Sequence, residues 1–207
     1  MVQNENVNAV AKTRGRPRAF DPHTALHAMR DVFWHKGYAA TSLDDLCAAA
    51  GMNRPSLYNA FGEKAQVFKA VLDDYVAEVK PLYEQAFRAP VPYREALLKV
   101  YETAFTIYLV HTRGLGCFMI GAALTDSMRD DEVAAMILAR LREMDRGFLK
   151  LGQIAQGRGE LRDGVTPEAA AVLCASIHNA ISVRMRAGET VDDLRCYVRH
   201  AISIICA

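Results

Sequence analysis

What is scarce in this 207-residue sequence narrows the field first. No apolar run approaches the ~18 residues that a membrane span needs. The longest, such as Ala201 to Ala207, fall far short, and the polar opening Met1 to Ala11 holds no apolar stretch of signal-peptide length. No membrane partner is expected, and the expected location is cytoplasmic. Cysteine is sparse too. Cys47, Cys117, Cys174, Cys196 and Cys206 are an odd number, widely spaced, without a CxxC pair, which points to reduced thiols and away from a disulfide framework. Aromatics make up 8%, with a single Trp. Net charge is almost absent at +1, so the molecule is no polycation, and any affinity for nucleic acid must come from a local patch. No metal-protease helix, phosphate loop or serine elbow is found. An enzyme built on an unrelated N-terminal bundle therefore lacks its acid–base constellation, and no cofactor is expected.

What is present is apolar and helical. Half the residues are hydrophobic (51%), enough to bury a full core. Asp21 caps a helix that opens with Pro22 and stops at Gly37. Thr41 or Ser42 caps a short second helix to Ala50, with Asp44 and Asp45 suiting its dipole. A third runs from near Asn53 to Phe61, and Glu63 opens a longer one in which Pro81 predicts a kink or break. Further helices are predicted from Tyr93 to about His111, Phe118 to Met128, Asp131 to about Gln156, Pro167 to Ala187, and Asp192 or Asp193 to near Ile205. No alternating strand pattern competes. The expected fold is all-α, with about nine helices.

The three helices in residues 22–61 are closely spaced, and the second turns into the third through Ala50-Gly51-Met52-Asn53. A short brace helix, a glycine turn and a short outward helix make a helix-turn-helix. Gly51 fits because such a turn needs left-handed dihedrals. In the third helix Leu57 and Phe61 are four apart and should pack inward. Asn53, Arg54, Ser56, Tyr58 and Asn59 are left for a DNA groove: Arg suits guanine, Asn suits adenine, and hydroxyls reach phosphates. The other reading, a plain helical bundle with Tyr58 partly in its core, accounts poorly for an uncharged polar outer face next to a glycine turn.

The segment Phe20 to Tyr75 resembles the DNA-binding region of TetR/AcrR-type regulators. The residues that carry the resemblance are Ala25-Leu26, Phe33-Trp34, Gly37-Tyr38, Thr41-Ser42-Leu43-Asp44-Asp45-Leu46, Ala50-Gly51, Ser56-Leu57-Tyr58, Phe61, Lys64 and Phe68. The resemblance implies that Thr41, Ser42 and Lys64 clamp the DNA backbone, with Tyr58 and Asn59 against the duplex and Arg54 and Ser56 beside them. Pro55 departs from the Gly or Ala usual in the family and cannot donate a backbone hydrogen bond. The arm Arg14-Gly15-Arg16-Pro17-Arg18 is similar to a minor-groove hook built on Gly-Arg-Pro, in which Arg14, Arg16 and Arg18 would meet the strongly negative narrow groove. A solubilising tail is the other reading of the arm.

The implied organisation is a flexible basic arm (1–19), a helix-turn-helix domain (20–64) and a helical domain for ligand sensing and dimerisation (65–207). The implied partners are a palindromic double-stranded operator, a small-molecule effector and a second copy of the chain, and the implied activity is repression. A purely architectural DNA binder would not need a hollow helical domain. Candidate effector-pocket residues are Tyr101, Phe105, Tyr108, Cys117, Phe118, Met119, Met136, Met144, Phe148 and His178, since aromatic and Met side chains make adaptable walls; their spacing also suits ordinary core. Cys117 follows Gly114-Leu115-Gly116 at a helix start, where the dipole favours thiolate. It is similar to the region where some family members sense electrophiles or oxidants, and it also reads as a small buried filler. Cys174 with His178, and Cys196 with His200, lie one turn apart and offer four donors for zinc, but neither forms a tight knuckle, so no metal is expected.

Overall fold

The computed structural model describes residues 21–109, 114–123 and 131–207. Nine helices occupy the described residues: α1 Pro22–Lys36, α2 Leu43–Ala50, α3 Arg54–Phe61, α4 Lys64–Phe87, α5 Tyr93–Tyr108, α6 Phe118–Ala123, α7 Asp131–Gly157, α8 Pro167–Arg186 and α9 Val191–Ile202. The fold is all-α, as the periodicity predicts. An isolated bridge between Leu161 and Cys206 is the extended pairing found among the described residues. None of these helices is long and apolar enough to cross a membrane.

Caps set most helix starts. The Asp21 carboxylate accepts from the Thr24 amide (2.9 Å). Ser42, rather than Thr41, caps α2, in a reciprocal box with Asp45. Asn53 caps α3 by accepting from the Ser56 amide (2.8 Å). Thr190 caps α9, so that helix begins at Val191, ahead of the Asp192 or Asp193 expected to lead it. α5 has no side-chain cap of its own. Instead Glu160, in the loop between α7 and α8, accepts from the Tyr93 amide (2.7 Å).

Pro81 does not break α4; the helix runs on through it for 24 residues. Ala77, whose carbonyl loses its usual donor, is exposed, as is Pro81, so water can serve the freed carbonyl. That continuity shapes the molecule. α4 packs on α1 and α3 at one end and on α5 and α7 further along. The expected boundary between residues 64 and 65 falls in its first turn.

The core is continuous across that boundary. Its densest part is an aromatic node. The Trp34 ring meets Tyr75 (centroids 5.7 Å apart) and Phe118 (5.5 Å), and Phe68 lies against both Phe33 (5.0 Å) and Phe118 (5.8 Å). Burying each such side chain contributes about 1.5–3 kcal/mol. The node therefore welds α1 and α4 to α6.

Candidate nucleic-acid interface and internal cavity

In the N-terminal head the turn after α2 is closed by Gly51 in the left-handed region (φ 62°). Leu57 is fully buried and Phe61 partly so, which anchors α3 by one face. The other face presents Tyr58, 45% exposed, together with Asn59. Asn53 and Arg54 are also exposed and Ser56 half-buried. Several of these groups are already engaged. The Asn53 side-chain oxygen Oδ1 caps its helix, and the Arg54 fork meets both Asp44 oxygens at 2.7 Å. That hydrogen-bonded pair holds the Asp44 carboxyl below the usual carboxylate range. The exposed Ser42 hydroxyl donates to Asp45 (2.8 Å). The Lys64 ammonium sits 4.6 Å above the Tyr38 ring and donates to the Ala39 carbonyl (3.3 Å).

Thr41 contradicts the expectation of a backbone clamp. It is buried, and its hydroxyl donates to the Gly37 carbonyl at 2.7 Å, so the side chain ties the α1–α2 turn together and is withheld from the surface. Arg14, Arg16 and Arg18 lie outside the described residues.

The second feature is a cavity of about 610 Å³ framed by α4, α5, α7 and α8. Tyr75, Val76, Val79, Tyr83 and Phe87 line it from α4; Met144, Gly147 and Leu151 from α7; His178 from α8; and Cys117 and Met119 from around the start of α6. The lining also carries charge of both signs, with cations such as Lys80, Arg140 and Arg158 beside Glu84, Glu143 and Glu160. Of the expected pocket residues, Cys117, Met119, Met144 and His178 line the space. Tyr101, Phe105, Tyr108, Phe118, Met136 and Phe148 do not, because they serve the packing behind the wall. Tyr101 stacks near Phe148 and donates to the Cys174 carbonyl (3.0 Å); Phe118 belongs to the aromatic node; Phe105 is buried on α5; and Met136 packs against the core. The α4 wall, with Tyr75 and Tyr83, was missed. Its spacing reads as plain core until the neighbouring helices stand apart.

The polar groups of this cavity converge. His178 Nε2 lies 3.0 Å from the Tyr83 hydroxyl and 3.3 Å from that of Tyr108. Burial lowers the imidazole from 6.5 to about 4, so it is neutral at physiological pH. Of the two readings of Cys117, the buried filler is the one its burial favours, not the dipole-held thiolate. Burial pushes its thiol up; the Ile120 and Met119 amides and the Tyr75 and Tyr108 hydroxyls pull the other way without prevailing. The Cys174/His178 and Cys196/His200 pairs do not converge. Cys174 is sealed near Tyr93 and Tyr101, while Cys196 is exposed and accepts from Arg199 (3.0 Å).

The cavity wall is wired to the head. The Ala122 carbonyl of α6 accepts from the Tyr38 amide (2.9 Å). Arg186 of α8 donates to the carbonyls of Trp34 (3.1 Å) and Leu115 (3.2 Å). The Ser182 hydroxyl accepts from the Cys117 amide (2.8 Å) and pins the segment before α6 to α8.

Comparison with known proteins agrees with this architecture. Residues 25–71 match the sequence profile of bacterial regulatory proteins of the tetR family. The chain is 30% identical over 191 residues to the HTH-type transcriptional repressor ComR of Escherichia coli K12, covering 92% of this chain and 91% of that protein. It is 37% identical over 111 residues to the repressor BdcR of the same organism, 53% of this chain and 56% of that one. Among solved structures, a cysteine mutant of the TetR-family regulator CifR, complexed with 26-bp double-strand operator DNA, superposes with a TM-score of 0.82 at 29% identity, over 91% of this chain and 98% of that one. With the exposed third helix and the glycine turn that presents it, these likenesses identify the chain as a member of the TetR family: a DNA-binding transcriptional regulator, and not an enzyme.

Proposed function

We propose that the protein is a repressor that binds a palindromic operator as a homodimer and lets go when a small molecule enters the α4–α7 cavity. The observation that carries this reading is the shared wall. α4 both lines the cavity and supports the head, and the segment entering α6 faces both ways: Cys117 and Met119 line the cavity, while Phe118 meets Trp34 of α1 and the Ala122 carbonyl holds Tyr38. A ligand that pushes α4 and α6 apart reorients the head. It acts only by preferring the reoriented conformation.

At the DNA, Tyr58 and Asn59 meet base edges, with Asn53, Arg54 and Ser56 flanking them. Ser42 and Lys64 hold the backbone, and Arg14, Arg16 and Arg18 enter the minor groove. Residues 1–19 act as arm, 20–64 as head and 65–207 as sensor, with α4 as their common beam. Dimerisation is assigned to α8 and α9. Val172 (68% exposed) and Val183 (57%) leave an apolar outer face on a helix whose other side is buried, the pattern of a helix packed against a twin. Two heads about one DNA turn apart then read a palindrome. The names of the E. coli relatives, both repressors, support the sign of regulation.

Cys117 faces the cavity, so an electrophile that enters would reach it. A buried thiol held protonated is a slow nucleophile, and reversible binding is the reading the geometry favours. The test is selection of bound duplexes from a random pool, followed by competition with cavity-sized amphiphiles, with sedimentation to count protomers. A single palindrome bound by a dimer and released by a ligand whose effect is lost in Met144→Trp is the expected result. Failure to prefer any palindrome, or release that ignores the filled cavity, overturns it.

A further inference from the structure

We propose a transition-metal site at the outer junction of α1 and α4, formed by His23, His27 and Asp74. It does not depend on the cavity or on the sign of regulation. His23 and His27 are four apart on α1, so both rings project from one face, with centroids 4.3 Å apart. Asp74 comes from α4, with Oδ1 3.7 Å from His23 Nε2 and Oδ2 3.5 Å from His27 Nε2. The three donor atoms lie within 4.8 Å of one another.

These separations are too long for hydrogen bonds. They are close to the edge of a tetrahedron around an ion with bonds of ~2.0–2.1 Å, which is roughly 3.3 Å. Two of the atoms, His27 Nε2 and Asp74 Oδ2, are buried and have no hydrogen-bond partner. Unsatisfied buried polar atoms are rare and ask for a ligand. Two imidazoles and one carboxylate suit a borderline divalent cation such as Zn²⁺, with water as the fourth ligand. Glu78 Oε2 lies 3.6 Å from His27 Nε2 but is held by Arg30 at 2.5 Å, and stays with it. Arg30 also approaches His27 Nδ1 at 3.2 Å. Ligation through Nε2 puts the ring proton on Nδ1, so that contact opens while Arg30 keeps Glu78.

The ion would staple α1, which belongs to the head, to α4, two and five residues before the cavity-lining Val76 and Val79. The experiment uses tag-free full-length protein stripped with chelator and titrated with Zn²⁺ by calorimetry, with Co²⁺ absorption as a second readout. Expected are one ion per protomer, a rise in melting temperature, and affinity at least about tenfold weaker in His23→Ala and in Asp74→Asn. His23 is 67% exposed, so its replacement leaves the fold intact. A Cys196→Ser/His200→Ala variant should bind like wild type. No uptake by wild type, uptake untouched by His23→Ala, or a thiolate-to-cobalt band in the spectrum would each overturn the site.

Discussion

Lowering the pH should weaken this protein through one buried imidazole, and the size of the effect follows from the cavity. His178 is lowered from 6.5 to about 4 because burial penalises its cation, and the hydrogen bond with the neighbouring Asn179 side chain offsets that only in part. Below about pH 6.5 the unfolded chain takes up a proton that the folded chain refuses. Stability is therefore complete above 6.5, falls as the pH drops, and stops falling near 4, where the folded imidazole protonates as well. At ~1.36 kcal/mol for each tenfold difference in proton affinity, the full effect is about 3 kcal/mol per protomer, of which about 2 kcal/mol develops between pH 7 and pH 5. At roughly 2–4 °C per kcal/mol for a chain of this size, the melting temperature should drop by about 4–8 °C over that interval. The assay is thermal unfolding followed by circular dichroism at pH 7 and pH 5, at one ionic strength and one protomer concentration, for wild type and His178→Gln. The variant removes the titration and keeps a polar group near the tyrosines, so its drop should be smaller by that amount. Equal drops in the two proteins would refute the assignment of a buried neutral imidazole.

Two glycines in left-handed conformation separate strain from crowding. Gly51→Ala meets nothing within 4 Å and should lose about 1–2 kcal/mol, from its dihedrals alone, whereas a Cβ at Gly116 would stand 2.4 Å from the Ser182 carbonyl oxygen, adding about 1–3 kcal/mol of overpacking; equal losses in denaturant titrations would contradict this. Asp44→Asn should release Arg54 to a phosphate and steepen the salt dependence of operator affinity by about one unit of log–log slope, measured by fluorescence anisotropy; an unchanged slope places Arg54 away from the backbone. Tyr58→Ala with Asn59→Ala should abolish operator preference while leaving the melting temperature within about 2 °C, because neither side chain is buried. Phe118→Ala should cost about 3–5 kcal/mol by emptying the aromatic node, and the loss should include the head as well as the sensor, as read by hydrogen exchange in α1 and α5.

The sequence determined a good deal of this protein by itself. Caps, prolines and glycines are local devices, so the ends of α1, α2 and α3 and the glycine turn between the last two could be read directly, and with them the exposed face of Tyr58 and Asn59. The fold class followed from the 3.6-residue period for the same reason. Tertiary structure decided what depends on residues far apart in the chain. Periodicity marks the inward face of a helix but is blind to whether the space it meets is filled, so Tyr101, Phe105 and Phe148 proved to be packing while the α4 face with Tyr83 lines the cavity. A helix dipole can be assigned from position, but burial cannot, and burial is what raised the Cys117 thiol and lowered the His178 imidazole. Thr41 and Ser42 are adjacent and chemically alike; only the turn beneath them fixed which hydroxyl is sealed and which is exposed. The His23–His27–Asp74 cluster was invisible because one of its three members, Asp74, lies on another helix, 47 residues beyond His27.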